Sequence, residues 1–76
     1  MRVRVEAYCG YKAGERPYRF VLEDRPYEIV EIVDRWYGPG SEYFKVRAED
    51  QNFYILRYDS NEDEWDLEAY RATGGR

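Results

Sequence analysis

"YEIVEIVDRWY", residues 27–37, admits two readings, and the fold turns on which one holds. Ile29, Ile32, Val33 and Trp36 fall at i, i+3, i+4 and i+7, the stripe of a helix. Asp24 stands where a cap belongs, and Gly38-Pro39 where a helix stops. Yet four of the five residues in "IVEIV" are β-branched, and such side chains lose rotamer freedom in a helix and pack well on a pleated surface. A strand accommodates the spacing if one β-bulge sits near Val30-Glu31, carrying the inward register from Ile29 to Ile32 and on to Trp36. Bulged, bent strands are how a small barrel turns a corner. The segment is read as a strand.

The flanking sequence alternates as strands do. In Arg2–Cys9, Val3, Val5, Ala7 and Cys9 share one face. After the loop "GYKAGERP", Tyr18, Phe20 and Leu22 alternate with Arg19, Val21 and Glu23, and "EDRP" makes a turn. Beyond "GPGS", the inward set Phe44, Val46 and Ala48 opposes Tyr43, Lys45 and Arg47. "EDQN" is a tight hairpin into Phe53–Tyr58, which is apolar on both faces and therefore central. "DSNEDE" is a polar turn before Trp65, Leu67 and Ala69. Five to six short strands with turn signals between them predict an all-β fold, a small SH3-like antiparallel barrel with a bulged, bent third strand. Residues 1–70 form the single domain and 71–76 a flexible tail. The expected core is Val3, Val5, Phe20, Leu22, Ile29, Ile32, Trp36, Phe44, Val46, Ile55, Leu56, Trp65 and Leu67. On that reading Trp36→Ala costs about 3–5 kcal/mol.

Composition says what fills the core. The chain of 76 residues has one cysteine and no histidine, so it has neither an intrachain disulfide nor the usual zinc ligands. Nine Tyr, three Phe and two Trp must supply the bulk. The single thiol and an N-terminus without an apolar signal segment lead to the expectation of a cytoplasmic chain, and no run approaches the length of a membrane span. The net charge of −4 arises wholly in residues 59–76. Ten of the twelve cations are Arg.

Residues 16–38 and two later blocks, "RPYRFVLEDRPYEIVEIVDRWYG", "YFKVRAEDQNFYILRYD" and "EWDLEAY", carry a wider pattern. From Pro17 to Tyr70 the chain resembles a bacterial family of small uncharacterised all-β domains, also found appended to translesion-polymerase-like proteins. The resemblance implies an SH3-like barrel and a DNA-repair neighbourhood. It brings no activity or site residues.

Catalysis has little support. No His is present to activate a nucleophile, Cys9 takes an inward position, and the carboxylate pairs lie in turns where nothing raises a pKa. The chain is therefore expected not to be an enzyme and to need no cofactor. Asp59-Ser60-Asn61-Glu62-Asp63 starts like a Ca²⁺ loop, but Glu64 occupies the glycine position and Tyr70 that of the bidentate glutamate, which favours a solvated turn. What remains is binding. Tyr43, Lys45 and Arg47 form an outward stripe that Arg57 can extend, and Tyr37, like Tyr11, is expected to be exposed. Rings beside an acidic turn suit a protein or peptide partner. Rings interleaved with cations suit nucleic acid, although the chain has no basic excess. A non-catalytic interaction module is the leading expectation, and a nucleic-acid-associated accessory domain the alternative.

Overall fold

In the computed structural model, which describes residues 1–7 and 16–71, the disputed segment is a strand. Six strands follow in order: β1 (Arg2–Ala7), β2 (Pro17–Leu22), β3 (Arg25–Gly38), β4 (Ser41–Ala48), β5 (Phe53–Asp59) and β6 (Glu64–Arg71). Each pairs antiparallel with its sequence neighbours, and β1 meets β6 to close the barrel. No helix occurs among the described residues, and none is long and apolar enough to cross a membrane. The expected SH3-like barrel is borne out as a closed antiparallel barrel of six strands. Cys9, Tyr11 and positions 72–76 lie outside the described residues, while Arg71, assigned above to the tail, ends β6.

Local chemistry sets the corners. Glu23 and Asp24, both at positive φ, make the two-residue turn between the paired Leu22 and Arg25, the conformation whose twist matches the flanking strands. Pro39 and Gly40, the latter with φ of 65°, occupy the central positions of the β3–β4 turn, the order that suits a type II turn. The seam between β1 and β6 is thin. It consists of the register pairs Arg2–Asp66 and Val3–Trp65 and a bond from the Leu67 N–H to the Met1 carbonyl at 2.7 Å.

The long third strand explains how two sheets become one barrel. Its first part, Arg25–Glu28, pairs with β2 and its remainder, Ile29–Gly38, with β4. The first bulge lies at Val30, as the spacing predicts. A second, at Val33, lies between Ile32 and Asp34. It turns the register again, so that Arg35 and Tyr37 take the inward side opposite Phe44 and Glu42. Trp36 sits opposite Tyr43 on the outer face instead and is 38% exposed. The expectation that Trp36 is core is therefore corrected. Counting one bulge put the indole inside, and the second puts it outside.

Phe20, Phe44, Val46, Ala48, Leu56, Tyr54 and Val3 form the buried core, with Val5, Leu22, Ile29, Ile32, Trp65 and Leu67 packed around it. Ile55 is also corrected, since it pairs with Lys45 on the outer face. Rings dominate the interior as the composition requires. Phe20 stacks on Tyr27 at 5.1 Å and meets Tyr54 edge-on at 4.8 Å. Tyr54 was not among the expected core residues. Its hydroxyl is accommodated because it donates to Asp50 Oδ2 at 2.7 Å in the hairpin below. Burial, reinforced by that carboxylate, pushes the Tyr54 hydroxyl well above its ordinary range.

Candidate functional site

Alternation along β4 brings Tyr43, Lys45 and Arg47 to the outer face, and Arg57 stands opposite Tyr43 on β5. Four of the five residues singled out from the sequence thus share one surface. Tyr37 does not. It takes the inward register at the barrel's end, where the residue is 65% exposed. There it lines a cleft of about 290 Å³ with Glu42, Tyr58, Ser41 and Ser60. The acidic turn reaches this cleft because the Ser60 N–H donates to the Gly40 carbonyl at 3.2 Å.

The cations on the outer face are not equivalent. Arg47 pairs with Glu31 at 2.9 Å and donates to Gln51. Arg57 lies 3.4 Å from Asp66 and 3.8 Å from Asp59. Lys45 sits 5.4 Å above the Phe53 ring, and among the described residues neither it nor Arg71 has a carboxylate within ion-pairing distance. Register explains their proximity, because Phe53 lies between Arg47 and Arg71, and Ile55 between Lys45 and Ala69. Lys45, Phe53, Ile55, Ala69, Tyr70 and Arg71 line a depression of about 340 Å³. Its lining thus joins the apolar Phe53, Ile55 and Ala69 to two cations.

Next to the depression, Trp36 and Tyr43 stack at 5.4 Å with only 2° between their planes. Gly38 permits this, since a Cβ there would come within 3.0 Å of the Tyr43 ring. On the inward side, Arg35 does what a hydrophobic residue would do at that register. Its guanidinium lies 5.2 Å from the Phe44 ring centre, and its Nε donates to Glu42 Oε2 at 2.6 Å. That carboxylate, more than any other group, holds the Arg35 charge in place.

Sequence reasoning missed the Phe53, Ile55 and Arg71 contributions. The "apolar on both faces" pattern of β5 carried the signal, because an apolar residue on a solvent face is a reason to look for something that covers it. Among the described residues, no group of three His, Cys, Asp or Glu side chains is arranged to hold a metal ion, and the acidic turn provides none. No buried side-chain polar atom there lacks a hydrogen-bond partner. No family model, no curated protein and no solved structure matches this chain.

Proposed function

We propose that this barrel is a non-catalytic interaction module whose outer face on β4, β5 and β6 receives a segment of a protein or peptide partner. One observation carries the reading: the depression combines the apolar Phe53, Ile55 and Ala69 with two cations, Lys45 and Arg71, that have no carboxylate within ion-pairing distance among the described residues. A segment with an apolar side chain flanked by Asp or Glu satisfies both features. Tyr43, Arg47 and Arg57 border the site and, already partnered, act as its polar rim.

Nucleic acid is the second reading. A cation over the Phe53 ring suits it, because bases stack while phosphates pair. Five arginines, at positions 2, 19, 35, 47 and 57, are instead in ion pairs with carboxylates, and the chain carries a net charge of −4. Both features oppose a polyanion.

Selection from a random-peptide display library tests the choice. Acidic-apolar sequences should emerge, and Ile55→Asp and Lys45→Glu should each weaken them at least about tenfold, the loss expected when a central anchor goes. Failure to select any sequence, or selected peptides indifferent to both changes, would overturn the proposal. Binding of an oligothymidine strand that weakens steeply with added salt would move the assignment to nucleic acid.

A further inference from the structure

Cross-strand register lays out the outer face of β4, β5 and β6 as two rows. Lys45 stands opposite Ile55 and Ile55 opposite Ala69; in the next row Arg47 stands opposite Phe53 and Phe53 opposite Arg71. Ile55 and Phe53 fill the middle column of this grid. Lys45 and Arg71 take diagonally opposite corners, and Ala69 and Arg47 the other two.

The charged corners differ in what they have left to offer. Arg47 pairs with Glu31 at 2.9 Å and donates to Gln51 at 2.8 Å. Lys45 and Arg71 have no carboxylate within ion-pairing distance among the described residues. The Lys45 ammonium is already positioned, 5.4 Å over the Phe53 ring, so it loses little freedom when an anion arrives. A diagonal with a cation at each end thus crosses the apolar column.

Two strand spacings and one two-residue step put the Lys45 and Arg71 backbone positions about 12 Å apart. In an extended chain, residues n and n+4 share a face about 13 Å apart, with n+2 midway between them. A helix also offers a near match, since n and n+7 span about 10.5 Å. A helical cylinder about 10 Å wide, however, would cover Arg47 and Arg57 as well. Their ion pairs with Glu31 and Asp66 would then lose their solvent, which costs more than the pairs return. An extended chain is about half as wide and covers the diagonal alone.

We propose, resting on the acidic-apolar partner assigned above, that the recognised motif is an extended five-residue segment with Asp or Glu at n, a large apolar residue at n+2, and Asp or Glu at n+4. The n+2 side chain packs on Ile55 and Phe53, and the two carboxylates pair with Lys45 and Arg71. Positions n+1 and n+3 point away from the barrel and carry no preference. The motif reads the same in both directions, so its charges do not select a chain polarity.

Fluorescence anisotropy of labelled peptides with the unaltered full chain tests the spacing. Three peptides share one composition, two Asp and one Leu in a serine background. The first has Asp at n and n+4 with Leu at n+2, the second Asp at n+1 and n+3 with Leu at n+2, and the third Asp at n and n+7 with Leu at n+4. The first should bind at least about tenfold more tightly than either of the others, which each misplace a charge-assisted contact. Proline at n+1 of the first peptide should leave its affinity within about twofold, because proline suits an extended chain and breaks a helix. Lys45→Glu should lose the first peptide, and changing one of its Asp to Lys should recover binding to that variant. Equal affinity for the three spacings, or a preference for the third, would overturn the motif while leaving the acidic-apolar partner in place. No binding by any of the three would also overturn the motif, and the display selection above then decides whether the depression keeps its partner.

Discussion

Trp65 and Trp36 are the chain's two indoles, each on a strand and each beside a tyrosine, yet they serve different parts of the molecule. On β6, Trp65 contacts Tyr58 at 4.9 Å and Phe44 at 5.6 Å and packs against the core. On β3, Trp36 lies flat on Tyr43 and stands open on its other side. Residue type is the same, and so is the strand environment. The difference lies in register: β6 keeps its alternation from Trp65 to Leu67, whereas two bulges precede Trp36. A side chain's hydrophobicity sets what burial is worth, but backbone parity decides whether burial happens.

The contrast breaks if both indoles respond alike to truncation. Trp65→Ala should destabilise the barrel by about 3 kcal/mol, since it leaves a void against Phe44 beside the thin β1–β6 seam. Trp36→Ala should cost only about 1 kcal/mol, the value of an aromatic pair, well below the 3–5 kcal/mol of a core indole. Urea unfolding measures both. Equal losses would return Trp36 to the interior and invalidate the second bulge.

The same two regions show how far sequence carries. β1, β2, β4, β5 and β6 were legible because alternation is a local property, and the Tyr43–Lys45–Arg47 stripe followed from it directly. β3 was legible only up to Ile32. Each bulge adds a residue, so two in succession give the inward positions a spacing of three: Ile29, Ile32, Arg35. The exposed Val30, Val33 and Trp36 repeat at the same spacing. This is why the segment imitates a helical stripe. An arginine in the third inward position hid the repeat, because its role there depends on Glu42 and Phe44, which only the folded barrel brings beside it. Tyr54 escaped notice for a similar reason: its burial rests on an acceptor in the adjoining hairpin. Which outer-face cations find a carboxylate within ion-pairing distance is likewise decided in the folded barrel, and no periodicity in the sequence reports it.

That hairpin acceptor supplies the smallest effect and the clearest sign. Burial alone would raise the Asp50 pKa, but hydrogen bonds from the Tyr54 hydroxyl and from the Asn52 amide and side chain outweigh it and hold the carboxyl below its usual 3.8. A carboxylate with a depressed folded pKa contributes stability above its unfolded value, and that contribution is lost as pH falls through the folded one. Asp50→Asn keeps an oxygen that can accept from Tyr54 but has no proton to gain. The variant should therefore be the less stable of the two at pH 7, and the gap should close steadily below about pH 4. All other carboxyls titrate in both proteins, so the difference between their urea midpoints isolates this one group. A gap that stays constant down to acid-induced unfolding would mean that Asp50 holds the buried ring by shape alone, and that the polar end of Tyr54 adds nothing charge-dependent to the core.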